Sequence, residues 1–237
     1  MNGITDMHCH ILPGLDDGSL SMEETLATLH SAEKQNITRM IVTPHFHPER
    51  YIVEAPQIYE GLEAVRKACD AEGIHIQLFP GQECYYYSGL VSHLDEGKAL
   101  TLCGTRFVLV EFDPGVSYSY LKNGIQTLRQ NGYVPIIAHF ERYECLLDDN
   151  HLNELKSQQY LLQMNYDLLL IRGGLLGDSR WQKLLKKGYV DFLGSDCHGT
   201  HFRPLHVDKA VHWMEKKVEP ELVKRMLQRN FDRLVYG

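Results

Sequence analysis

The chain has 237 residues, 43% of them hydrophobic, and a formal net charge of −7. A chain of this length buries about 70% of its unfolded surface and needs no disulfide to hold a core, while the acid excess excludes a phosphate-backbone groove as its main function, since such grooves rest on clustered Lys and Arg. No run approaches the ~18 apolar residues of a membrane span, the start Met-Asn-Gly-Ile-Thr-Asp has no basic, apolar leader pattern, and the six cysteines include no CxxC, so a reduced, cytoplasmic protein is expected.

No composition shift or Pro/Gly/Ser-rich linker divides the chain, so one domain over 1–237 is expected. A first strand covers 4–8 and opens into the loop Pro13-Gly14-Leu15-Asp16-Asp17-Gly18. Ser21 then caps a helix, with Glu24 three residues on completing a capping box. A strand at 40–43 precedes a helix near 57–72, in which Ile58, Leu62, Val65 and Cys69 share a face. The third strand, 74–79, turns at Pro80-Gly81 and presents Glu83. The fourth covers 107–111 and leads to a helix over about 119–131, with Gly132 at its C′ position. The fifth, 134–138, precedes a helix around Leu152 and Leu155, and the sixth, 160–164, ends in Asn165. Trp181, Leu184 and Leu185 mark a helix stopped at Gly188, and the seventh strand is 191–193. The tail, 206–234, reads as two helices parted near Glu219-Pro220. This alternation predicts an α/β fold, a seven-stranded parallel (β/α)7 barrel of TIM type, with its chemistry at the carboxyl ends of the strands.

Those strand ends carry metal-ligand chemistry. Residues two apart on a strand face the same side, so His8 and His10 in Asp6-Met7-His8-Cys9-His10 can both face the barrel mouth, with Asp6 beside them or one layer lower. Glu83, Glu111 and Asp196 each follow an apolar run, where a carboxylate is costly unless paired or metal-bound. Three of them converging on one mouth repel each other without cations. Pairing with Arg142 or Arg203 is the alternative, but two arginines do not offset three acids and Asp17. His45, His139 and His198 add imidazoles from other strand ends. Asp17 is a further oxygen ligand, unless Asp16-Asp17-Gly18 is only an Asx-type turn. Such a set of nitrogen and oxygen groups, without thiolate, exceeds the needs of one tetrahedral ion. It suits two or three ions in open, five- or six-coordinate sites: Mn²⁺, Fe²⁺ or catalytic Zn²⁺. Cys9 and Cys197 alternate with these residues and are expected to point away.

Taken together, Asp6-Met-His-Cys-His10, Asp16-Asp-Gly18, Thr43-Pro-His45, Gly81-Gln-Glu83, Val110-Glu111, Ala138-His139-Phe-Glu-Arg142-Tyr143 and Gly194-Ser-Asp-Cys-His198 resemble the PHP (polymerase and histidinol phosphatase) superfamily. More narrowly, Leu12-Pro-Gly-Leu-Asp-Asp-Gly18 and His139-Phe-Glu-Arg-Tyr143 resemble its bacterial protein-tyrosine phosphatase branch, which is linked to capsule and exopolysaccharide synthesis. The resemblance implies a distorted seven-stranded barrel with three metals, usually manganese. It implies His8, His10, Asp17, His45, Glu83, Glu111, His139, Asp196 and His198 as ligands, and Arg142 and Arg203 as phosphate contacts. It also implies a phosphotyrosine protein, a bacterial tyrosine kinase of polysaccharide synthesis, as partner.

A metal lowers the pKa of its bound water toward ~7, so attack of a metal-bound hydroxide on a phosphate monoester, with no phospho-enzyme, is the expected reaction. Arg142 and Arg203 suit phosphate oxygens in forked geometry, against a salt bridge from Arg142 to Glu141 or Glu144. His47 and His201 are possible proton donors. Tyr85-Tyr86-Tyr87 either stack on substrate or simply alternate in burial at the rim. Three rival readings remain. Cys197-His-Gly-Thr-His-Phe-Arg203 fits the Cys-x₅-Arg pattern of thiol phosphatases, although Pro204 and a single glycine suit a phosphate cradle badly. A small-molecule phosphoesterase, acting on histidinol phosphate or nucleotides, needs the same metals. A non-catalytic phosphotyrosine-binding regulator is the third.

Overall fold

The computed structural model describes residues 3–174 and 177–237. Along them run β1 (Ile4–Cys9), α1 (Met22–Lys34), β2 (Ile37–Val42), β3 (His45–His47), β4 (Tyr51–Ile52), α2 (Ala55–Glu72), β5 (Gln77–Pro80), β6 (Glu83–Tyr85) and α3 (Leu90–Asp95). There follow β7 (Phe107–Glu111), α4 (Tyr118–Gln130), β8 (Val134–Ile137), α5 (Asp149–Ser157), β9 (Leu161–Asn165), α6 (Arg180–Lys186), β10 (Phe192–Gly194), α7 (Val207–Lys217), α8 (Pro220–Lys224) and α9 (Asn230–Tyr236). No helix among the described residues is long and apolar enough to cross a membrane.

The strands form a three-stranded sheet, β1-β2-β5, and a seven-stranded sheet, β10-β9-β8-β7-β6-β3-β4. All pairs are parallel except β3 with β4. The fold is thus mixed α/β with parallel sheets and helices, and the expected closed seven-stranded barrel is corrected. The physical reason lies in two interrupted runs. Pro44, which has no N–H to donate, separates β2 from β3, and Gly81-Gln82 separates β5 from β6. The first half of each run pairs in one sheet and the second half in the other. The end of β1 still lies against the chain leaving β10. An isolated parallel bridge joins Cys9 to Cys197, His10 N donates to Cys197 O (2.9 Å), and Asp196 N donates to His8 O (2.8 Å).

Local chemistry sets most element ends. Ser21 caps α1 by accepting from Glu24 N. The Glu24 carboxylate reaches past the expected capping-box partner to accept from Leu20 N (3.0 Å). Helix α2 starts at Ala55 rather than at 57, because Glu54 and Gln57 form a reciprocal capping box with a proline in the first turn. The tail departs further from expectation. Past Pro220, α8 runs through a π-helical turn at Arg225–Arg229 into α9 instead of forming one regular helix.

One apolar cluster packs Met7, Ile41, Leu109, Ile136 and Phe192 of five strands against Phe231 and Leu234 of α9. This plug closes the side of the sheets away from the strands' carboxyl ends. Two residues beyond Leu109 on the same face comes Glu111. Two residues beyond Phe192 comes Gly194, where a Cβ would stand 2.5 Å from the Cβ of His8 and 3.0 Å from Gln163 Nε2. Gly194→Ala is therefore expected to force β10 away from β1, destabilising the fold by about 1–3 kcal/mol. Thermal unfolding measures it, and an unchanged midpoint would show the close approach to be relaxed without cost.

Candidate metal centre

Each strand end delivers its polar residue to one buried patch. Glu83 opens β6 and is wholly buried. Its Oε1 lies 2.7 Å from His139 Nε2, and its Oε2 lies 3.2, 3.3 and 3.1 Å from His8 Nε2, His10 Nε2 and His45 Nδ1. Glu111 approaches the same His45 nitrogen at 3.5 Å and His139 at 3.9 Å. On the other side, Asp196 Oδ1 stands 3.7 and 3.5 Å from His8 and His10. Asp17 Oδ1 stands 3.4 and 3.5 Å from His45 and His198.

The donor atoms fall into three sets, each within 4.8 Å: His10, Asp17, His45 and His198; His8, His10 and Asp196; His45, Glu83 and Glu111. Eight of the nine expected ligands are in these sets, and the ninth, His139, touches Glu83. A cation set fits this arrangement on a direct observation. Glu83 Oε2 and His198 Nε2 are buried with no hydrogen-bond partner, although several imidazoles stand at ion-pair distance from Glu83 Oε2. Burial without hydrogen bonds is costly for an ionised oxygen, and a cation among those atoms removes the cost.

The imidazoles are held from behind. His8 Nδ1 meets Gln163 Oε1 at 3.1 Å and His10 Nδ1 meets Asp16 Oδ2 at 2.7 Å, which leaves each Nε2 facing inward. Asp16 also accepts from His45 N (2.9 Å) and Gly18 N (3.0 Å). It therefore makes the Asx turn and frees Asp17 to face His45 and His198. Gly18 is required there, because a Cβ would collide with His10 O at 2.1 Å. Cys9 and Cys197 are fully buried in the main core and point away, as expected.

Two residues of the set, His139 (φ +27°) and Asp196 (φ +52°), sit in the left-handed region that side chains disfavour. Each follows the end of a strand, β8 or β10, and the turned backbone redirects the side chain into the patch. Such strain costs on the order of 1–3 kcal/mol per residue and persists where the surroundings over-determine it.

Sequence reasoning missed the supporting shell. Gln163 also accepts from His139 N (2.7 Å) and donates to Asn165 (2.9 Å), whose Nδ2 donates to Asp196 Oδ2 (3.1 Å). The available signal was two polar residues at period two in a buried strand. Asp6 lies a layer lower, accepting from Ser195 N (2.7 Å) and Ser195 Oγ (2.6 Å). Arg142 and Arg203 both donate to Asp196 Oδ2, the latter at 3.2 Å, and not to Glu141 or Glu144. Tyr86 is buried against Phe112, Tyr85 packs on His47 and Tyr87 bonds His93, so the three tyrosines alternate in burial at the rim.

The electrostatics follow from this crowding. Burial, and then the charge of Glu83, push Glu111 up to about 10. Burial opposes charge on His8 and His10, yet Glu83 and Asp196 raise His8, and Asp16 and Glu83 raise His10 well above its ordinary value. Burial holds His45 down to about 4. Glu83 lies well below the carboxylate range: His8, His45 and His139 outweigh its burial. Protons thus neutralise the excess charge wherever cations do not.

Residues 4–236 match the family described as capsular polysaccharide synthesis, CpsB/CapC. The chain is 29% identical to tyrosine-protein phosphatase YwqE of Bacillus subtilis, over 97% of this chain and 91% of that protein. It is 25% identical to tyrosine-protein phosphatase CpsB of Streptococcus pneumoniae, over 97% of each. A solved structure from work on YwqE and CpsB, described there as unique metal-dependent tyrosine phosphatases, superposes with a TM-score of 0.87 at 28% identity, covering 98% of this chain and 94% of that one. An organophosphorus hydrolase from Deinococcus radiodurans shares the fold at a TM-score of 0.60 and 14% identity, covering 100% of this chain and 93% of that one. The fold and the clustered imidazoles and carboxylates are those of a metallohydrolase-like α/β protein. The chain belongs to the CpsB/CapC family of capsular polysaccharide synthesis.

Two outcomes follow from this geometry. Gln163→Leu removes the partner of His8 Nδ1 and His139 N, and should weaken manganese binding by about 10–100-fold in calorimetric titration; an unchanged affinity would remove Gln163 from the supporting shell. A cation entering the patch must displace the proton on Glu111, which is held up to about 10, and that on His10, which is raised well above its ordinary value. Affinity should therefore fall as pH falls from 8 to 6, by about tenfold per pH unit for each proton released. Titration in buffers of different ionisation enthalpy counts those protons, and a count of zero would contradict the charge balance.

Proposed function

We propose that this chain is a metal-dependent protein-tyrosine phosphatase of capsule or exopolysaccharide synthesis, acting as one metallophosphatase domain over 1–237. The observation that carries this reading is the convergence of buried imidazole and carboxylate donors around Glu83 Oε2. It occurs in a chain that resembles named tyrosine-protein phosphatases over nearly its whole length. We assign His8, His10, Asp17, His45, Glu83, Glu111, His139, Asp196 and His198 as ligands of two or three ions. Oxygen and imidazole donors without thiolate favour Mn²⁺, with Fe²⁺ or Zn²⁺ as the alternatives. Bound there, such ions supply hydroxide at neutral pH and polarise phosphoryl oxygens.

The chain's own residues do the remaining work. Arg142 and Arg203, whose side chains are 33% and 41% exposed, stand at the edge of the patch. Their planar, forked donors suit phosphate oxygens, and both now converge on a single oxygen of Asp196. Gln163 and Asp16 keep the imidazole tautomers fixed through the reaction. A tyrosine leaving group has a pKa of about 10, so departure needs no strong acid from the protein. Cys197 is wholly buried, its backbone paired with that of Cys9, and burial denies a thiol mechanism the accessible nucleophile it requires. The substrate we assign is a phosphotyrosine protein, a bacterial tyrosine kinase of polysaccharide synthesis. Six free cysteines suit a reducing, cytoplasmic setting.

Phosphate release from a phosphotyrosine peptide should cease on chelation and return with added Mn²⁺. Activity that survives chelation would overturn the assignment and return attention to Cys197.

A further inference from the structure

Beside the patch opens a groove of about 720 Å³ between the loop leading into α1 and the loop after β10. Asp17 and His198 form its inner end, so it is continuous with the proposed cation site. Leu20, Glu23, His201 and Phe202 line the part farther out. Two features set it apart from ordinary surface. Leu20 is 78% exposed and Phe202 59% exposed, large apolar side chains left in water at the lip of a polar centre. The Phe202 ring stands edge-on to His198 at 5.8 Å, and the Arg203 guanidinium lies 5.2 Å from its centroid. The ring therefore borders the phosphate position assigned above.

The second feature is charge. Beyond the proposed ligands Asp17 and His198, the titratable lining is Glu23, Glu24 and His201, and no Lys or Arg lines the groove. Glu23 and Glu24 occupy the first turn of α1, whose exposed N–H groups would otherwise attract an anion. The outer part of the groove thus suits a cationic group beside an apolar one rather than a second phosphate. A small phosphomonoester has no atoms to reach it.

Resting on the phosphotyrosine reading, we propose that this groove is the polypeptide subsite of the enzyme. It takes the chain flanking the phosphotyrosine, with an apolar side chain against Leu20 and Phe202 and a Lys or Arg beside Glu23.

The test uses the full chain loaded with Mn²⁺ and two phosphotyrosine peptides, identical except that the flanking residues are Lys in one and Glu in the other. At low ionic strength kcat/KM should favour the Lys peptide by about threefold or more. Glu23→Lys should bring that ratio to one or below, with Glu23→Gln intermediate. Phe202→Ala should raise KM for both peptides and leave the ratio in place. A wild-type ratio of one or less, or a ratio that Glu23→Lys does not move, overturns the groove while the phosphatase reading stands. If neither peptide nor para-nitrophenyl phosphate is hydrolysed, the phosphatase reading fails and the groove proposal falls with it.

Discussion

The structure turns on one buried carboxylate. Glu83 has no access to water, and four imidazoles from three separate segments of the chain stand within 3.3 Å of its two oxygens. In a medium of low polarity that grouping is tolerable only if charge is balanced locally. Protons can balance it: burial and the charge of Glu83 hold Glu111 up to about 10, and the surrounding carboxylates raise His8 and, further, His10. Cations balance it while leaving every donor in the form that binds metal. The sheets, the two residues in left-handed backbone and the supporting Gln163 and Asp16 all serve to hold that grouping in place.

The two-sheet arrangement is a consequence of the same demand. A residue two positions past the core face of a strand reaches the patch in β7, as Leu109 and Glu111 show. For His45 and Glu83 the chain must break its pairing first. Both then fall on short strands, β3 and β6, that pair directly through His45 and Glu83. The second halves of two broken runs therefore supply His45 and Glu83 to the patch, and the cost in continuity appears as an open sheet edge rather than a closed barrel.

Much of this was legible in the chain itself. Apolar runs ending in His, Asp or Glu marked the strand ends, and all nine candidate ligands lie in or against the patch. The turn at Pro80-Gly81 was legible too, but the strands β3 and β6 beyond the two breaks were not, because they are only three residues long and carry no periodicity. Nor were the left-handed conformations of His139 and Asp196, which only a minority of such residues adopt and which tertiary packing selects here. Gln163 escaped because an amide in a buried strand reads as an interruption until its partners are known. The Asp16-Asp17-Gly18 stretch could be read as a ligand loop or a turn, and the two hydrogen-bonded roles of Asp16, toward His10 and toward Gly18, needed the loop's path.

The balance of charge at Glu83 can be seen directly. Crystals grown with Mn²⁺ and measured at the manganese absorption edge should show anomalous peaks between Glu83 Oε2, His8, His10 and His45, and between Asp17 and His198. Peaks confined to other parts of the surface, with the patch holding only protons, would contradict the assignment of these residues as a metal centre.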